Sequence, residues 1–180
     1  MKAIRIPKER VGVLIGVEGG VKRLIEERLK VGLAVDAEGE VTISEERAED
    51  PLAGMKAMDV VKAIGRGFSP ENAYILFEDM EYLEVIDIKD YCGKKPEQLS
   101  RCRARVIGTN GKTRRLIETL TGAHLSIYGG TVGIIGGPEQ VEVARTAVDM
   151  ILRGSEHSTV YRFLERSRPK LRVIEMGFEP

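Results

Sequence analysis

The chain repeats itself, and the repeat restricts its fold more than any other feature. Val13-Leu14-Ile15-Gly16-Val17-Glu18-Gly19 aligns with Arg105-Val106-Ile107-Gly108-Thr109-Asn110-Gly111, an offset of 92 residues. After each Gly-x-x-Gly, apolar residues recur at three- and four-residue spacing: Val21, Leu24, Ile25, Leu29 in one copy and Leu116, Ile117, Leu120 in the other. That spacing predicts an amphipathic helix in each, stopped by Gly32 and Gly122. Short alternating runs follow. Leu33–Val35 and Val41–Ile43 flank Glu38-Gly39, while Leu125–Ile127 and Val132–Ile134 flank Gly129-Gly130, and each pair predicts a hairpin. Asp50-Pro51 and Gly137-Pro138 then open helices, with proline at the first helical position. These helices run to about Gly65 and Gly154. Their interiors match too, Ala57–Val61 beside Ala147–Ile151 at an offset of 90. With an opening strand at Lys2–Ile6 and at Leu83–Ile88, each copy reads β-α-α-β-β-α.

The expected organisation is a first module over 1–67, a connecting helix over 68–80, a second module over 81–154 and a C-terminal tail over 155–180. Ser69-Pro70-Glu71 caps the connecting helix, which reaches about Phe77. In the tail, Val160, Phe163 and Leu164 predict a helix through Arg166, followed by Pro169 and a strand-like Leu171–Ile174. The fold class is α+β.

Charge separates the two copies. Residues 1–88 hold 12 Lys/Arg against 18 Asp/Glu, and residues 89–180 hold 16 against 10, so a neutral chain is an acidic half joined to a basic one. Only the basic half attracts phosphate over a distance. No stretch has the unbroken apolar length of a membrane span, and the first residues alternate charged and apolar without a signal-peptide core, so the expected location is cytoplasmic. Cys92 and Cys102 do not have the spacing of a zinc knuckle or a redox pair and read as two reduced thiols. No metal and no cofactor is expected.

Ile-Gly-x-x-Gly between two short helices, inside a β-α-α-β-β-α unit, resembles the type I (eukaryotic-type) KH domain, here in two tandem modules plus a C-terminal helical tail. The run Arg103–Glu118, with Ile127-Tyr128-Gly129-Gly130-Thr131-Val132, is similar to archaeal members of the Dim-two/partner-of-Nob-one ribosome-assembly family. That resemblance implies non-catalytic binding to the 3′ region of small-subunit ribosomal RNA during its maturation. It also implies an rRNA-processing nuclease and a translation-initiation-factor subunit as partners.

In KH modules the Gly-x-x-Gly loop clamps the backbone of about four nucleotides. The expected clamp of the second copy is Gly108, Thr109, Asn110 and Gly111, with Lys112, Arg114 and Arg115 in the next turn and Arg103 and Arg105 in the preceding helix. Between Lys94 and Arg115 there are eight basic residues and one acid, Glu97. Neutralising three to five phosphates gives an expected single-strand salt slope of about −2 to −3.5. Arg101, Arg103 and Arg105 cannot all face one side of a helix. Ile107, Leu116, Leu125 and Ile127 form the expected base-reading floor, with the Leu125–Ile127 backbone offering donors and acceptors. The corresponding residues of the first copy, Gly16, Val17, Gly19, Lys22 and Arg23, make a secondary RNA site weakened by Glu18.

Two other readings compete. A scaffold or translation-associated adaptor with only general RNA affinity fits the acidic half. A P-loop-like nucleotide-binding enzyme is suggested by Gly111-Lys112-Thr113, but the pattern G-x-x-x-x-G-K-[ST] needs glycine where Val106 stands. His124 and His157 have no nucleophile or metal spacing beside them, so an enzyme is not expected.

Overall fold

A computed structural model describes residues 1–179, and the chain divides into two compact units, Met1–Leu83 and Glu84–Pro180. The first unit contains β1 (Lys2–Arg5), α1 (Lys8–Ile15), a 3-10 turn (Val17–Gly19), α2 (Gly20–Leu29), β2 (Gly32–Val35), β3 (Glu40–Ser44) and α3 (Ala53–Gly65). The short α4 (Pro70–Ala73) and a 3-10 turn (Tyr74–Phe77) complete it. Its sheet is antiparallel, in the order β1-β3-β2, with Leu33 opposite Ile43 and Ile4 opposite Val41. Alternation does the rest: Leu33, Val41 and Ile43 are buried, as are Leu14, Ile25, Val60, Val61 and Ile64 of the helices. The connecting segment belongs to this unit, since Phe68, Ala73 and Leu76 are all buried.

The second unit follows the same plan. β4 (Tyr82–Asp87) leads through α5 (Lys89–Cys92) to α6 (Pro96–Ile107), a 3-10 turn (Thr109–Gly111) and α7 (Lys112–Thr121). Then come β5 (His124–Tyr128), β6 (Thr131–Gly136), α8 (Pro138–Leu152) and α9 (His157–Glu175). The sheet order is β4-β6-β5, with β5 at an edge and Leu125 opposite Ile134. Val106, Ile117, Ile134, Val148 and Ile151 form the core, and α9 adds Val160 and Leu164 to it.

Four local expectations are corrected. α9 continues through Pro169 to Glu175, where a strand was expected after residue 169. Leu171 is buried at helical spacing from Val160 and Leu164, and that packing offsets the backbone bond lost at the proline. α3 opens at Ala53 rather than at Pro51, because the Asp50 carboxylate accepts the Leu52 N–H at 2.8 Å and holds a turn before the helix. Lys30 in the left-handed region, not Gly32, ends α2, whereas Gly122 does end α7. Finally, Cys92 and Cys102 are joined in a disulfide, their Cα atoms 6.8 Å apart. Gly93, at φ 78°, turns the chain back between α5 and α6 and brings the two sulfurs together.

Candidate nucleic-acid interface

The two Gly-x-x-Gly loops share one backbone. Gly108 has φ/ψ of 74°/172° and Gly16 has 75°/178°; Asn110 has 53°/30° and Glu18 has 53°/29°; Gly111 and Gly19 both lie near 75°/15°. What differs is chemistry. Two exposed residues, Thr109 and Asn110, stand in one loop where Val17 and Glu18 stand in the other. A side chain at Gly108 would bring its Cβ within 2.3 Å of the Thr113 hydroxyl and 2.7 Å of the Thr113 N, so glycine there is demanded by close packing as well as by φ. At the start of α7 the Lys112 N–H is already engaged, donating to the Thr109 carbonyl.

Around this loop the expected site residues divide. Lys112 and Arg115 are exposed in the first turn of α7. Arg114 pairs with Glu118 at 2.8 Å, and Glu118 in turn accepts the Leu125 N–H at 3.3 Å. The first unit repeats the device, with Lys22 to Glu26 at 3.3 Å and the Leu33 N–H to Glu26 at 2.8 Å. In both units one carboxylate thus fixes the start of the edge strand and holds a cation beside it. The Leu125 N–H is committed to Glu118, and its side chain is in the core, so it is not the open donor that was expected. Ile107 and Ile127 are half-buried, Ile127 packing on the core rim with Leu116.

Arg105 has a structural engagement. Its guanidinium donates to the Ile151 carbonyl at 2.6 Å and to the Ser155 carbonyl, closing the C-terminal end of α8. Its own carbonyl meets the His157 ring at 2.9 Å. Arg105, expected to reach phosphate, is thus engaged at the end of α8. Arg103, two residues earlier, is half-buried with an Nε that has no partner. In the first unit Arg10 plays the closing part, donating to the carbonyls of Ile64 and Phe68, both at 2.7 Å. Lys22 is tied to Glu26, and Arg23 donates to the Glu18 carbonyl at 2.6 Å.

Beyond the loop, Thr113 is buried and its hydroxyl lies 2.9 Å from that of Tyr161, whose ring stacks on His157. α9 thus braces α7 at the clamp, a role that no local pattern in the sequence announced. His124 opens β5. The segment before the loop, Arg101–Ile107, is helix rather than the strand that feeds a phosphate loop in nucleotide-binding enzymes. Among the described residues no group of three His, Cys, Asp or Glu could hold a metal, and no helix is long and apolar enough to cross a membrane.

Residues 82–169 match the eukaryotic-type KH domain (KH-domain type I), in the form of the second such domain of PNO1. A KH domain-containing protein of Methanocaldococcus jannaschii is 52% identical over 173 residues, covering 96% of this chain and 76% of that one. The pre-rRNA-processing protein pno1 of Schizosaccharomyces pombe is 29% identical over 178 residues, covering 96% and 74%. Among solved structures, a chain in the crystal structure of an a/eIF2alpha–aDim2p–rRNA complex from Pyrococcus horikoshii is 49% identical. It superposes with a TM-score of 0.87 over 93% of each chain. The fold of the second unit is that of a type I KH domain. The chain belongs to the PNO1/Dim2 family of KH-domain proteins.

Proposed function

We propose that this chain is a non-catalytic single-stranded RNA-binding protein that holds the 3′ region of small-subunit ribosomal RNA during pre-rRNA processing. The observation that carries the reading is the pair of loops on one backbone, of which only Gly108–Gly111 is free of acid and followed by exposed Lys112 and Arg115. Phosphate contact falls to that loop, Lys112 and Arg115. Arg114, held by Glu118, lies beside the path of the bases, and Ile107 and Ile127 supply an aliphatic floor. Its relatives support the reading, one being a pre-rRNA-processing protein and one a component of a complex with rRNA and an initiation-factor subunit.

The first unit is assigned as a second, degenerate KH module that contacts protein rather than phosphate. Its loop presents Val17, 89% exposed, beside Glu18, a combination that repels phosphate and leaves an apolar tip in water. Gly16, Val17, Gly19, Lys22 and Arg23 then serve at most as a minor RNA contact. The partners proposed are an initiation-factor subunit and an rRNA-processing nuclease, in the cytoplasm, with the chain bridging RNA to protein.

The test is competition binding at physiological salt between the 3′ segment of small-subunit rRNA and base-shuffled versions of it. About four inspected bases limit discrimination to roughly ten- to a hundred-fold. Equal affinities would leave a clamp for RNA in general and remove the ribosomal assignment.

A further inference from the structure

Among the described residues, the Nε of Arg103 is the buried side-chain nitrogen that finds no hydrogen-bond partner. Buried polar groups are almost always paired, and a cation nitrogen taken from water without compensation is costly. The first unit has Val11 at this position, 92 residues earlier, so the shared helix is built there without a cation.

The side on which Arg103 stands is fixed by its neighbours. Residues two apart on a helix lie about 200° apart around its axis. Arg105 is anchored to the Ile151 and Ser155 carbonyls at the end of α8, so Arg103 stands on the opposite flank of α6. Ile107, one turn further along, shares that flank and leads into the loop. Glu118, the acid of α7, is already bound to Arg114 and to the Leu125 N–H. Arg103 is therefore a half-buried cation on the flank of α6 that leads into the clamp.

We infer that Arg103 is a base-reading residue of the second unit, and that its guanidinium fork selects guanine or cytosine at one position of the bound strand. The inference rests on the RNA-binding reading above and adds to it a specificity determinant. A guanidinium offers two parallel N–H donors and no acceptor. It matches a base edge with two adjacent acceptors. Guanine presents O6 with N7, and cytosine presents O2 with N3. Adenine and uracil place a donor beside every ring or carbonyl acceptor on the edges available, so they satisfy one arm at most. Phosphate would also take the fork, but phosphates follow the exposed Thr109, Asn110 and Lys112, whereas Arg103 is half-buried on the flank of α6 that carries Ile107.

The test uses the full chain and its Arg103→Lys and Arg103→Met variants. Binding is measured to uridine-rich RNAs of about ten nucleotides, with guanine, cytosine or adenine placed in turn at each of four consecutive positions. At one position, guanine or cytosine is expected to tighten binding by about tenfold or more. Replacing guanine by 7-deazaguanine, which lacks N7, should remove the gain if guanine is the base read; an unaffected gain assigns it to another edge and overturns the fork at that base. Arg103→Lys keeps the charge but not the fork, so it should abolish the preference while leaving the salt slope unchanged. Arg103→Met should abolish it with the thermal midpoint held or raised, because an unpaired buried nitrogen is gone. A preference that survives in Arg103→Lys, a salt slope that falls by about one in Arg103→Met, or a lowered midpoint in Arg103→Met would each overturn the inference. Failure of the wild-type chain to bind any of these RNAs would instead overturn the RNA-binding reading beneath it.

Discussion

Replacing Thr109 and Asn110 together by aspartate should abolish most RNA affinity without disturbing the fold. The two glycines of the loop are poor targets, because a Cβ on Gly108 would lie 2.7 Å from the Thr113 backbone N and Gly111 sits at φ 74°, which strains any other residue. Position 110 is different. The first unit already carries a carboxylate, Glu18, at the same φ/ψ of about 53°/30°, so the backbone accepts one. Both 109 and 110 are exposed. A carboxylate about 5 Å from a bound phosphate repels it by about 0.8 kcal/mol at the screening of bulk water and about 3 kcal/mol at an effective dielectric of 20. For two charges on an open loop the lower half of that range applies, about 2–3 kcal/mol in total, or roughly 30- to 150-fold in affinity. Fluorescence anisotropy with a labelled single-stranded rRNA fragment gives the affinity, and a thermal melt run alongside checks the fold. A loss under about threefold with an unchanged midpoint would refute the clamp.

The matching change in the first unit, Val17→Asp, should cost less than about threefold, since Glu18 leaves little phosphate binding to lose; comparable losses in the two units would overturn the division of labour between them. Reducing the Cys92–Cys102 disulfide, which closes a loop of 10 residues, should destabilise the second unit by about 2–3 kcal/mol, and a denaturant melt with and without reductant measures it. An unchanged midpoint would show that α5 and α6 are held by packing alone. Burial raises the Asp59 carboxyl above the usual aspartate range, with Lys62 pulling it back. A folded pKa above the unfolded one means that the native state binds the extra proton, so stability falls as pH climbs between the two values. Asp59→Asn should therefore raise the first unit's melting temperature at about pH 7 and give no gain at about pH 3; equal gains at both would refute it.

How much of this was legible in the sequence depends on the range of each interaction. The repeat of Ile15-Gly16 and Ile107-Gly108, the glycine pair and the hairpin residues act locally, and the two loops agree in dihedral angles to within a few degrees. That Arg103 and Arg105 diverge also follows from helical spacing alone. That Arg105 closes α8 does not, because its acceptors lie 46 and 50 residues away and carbonyls leave no signature in sequence. The same holds for Thr113 meeting Tyr161 across 48 residues. Glu118 bonding Leu125 was within reach, since Glu26 and Leu33 stand in the same relation in the other copy. Beyond residue 169, proline and a β-branched pair favoured a strand locally, but burial of Leu171 at helical spacing from Leu164 kept the helix.

Ultraviolet crosslinking of the full chain to a single-stranded rRNA 3′ fragment, with the crosslinked residues mapped by mass spectrometry, tests the central claim most directly. Crosslinks are expected within Arg103–Arg115 and at Leu125–Tyr128, with few or none within Val11–Arg23. Crosslinks concentrated at Val11–Arg23, or spread evenly over both units, would contradict that claim.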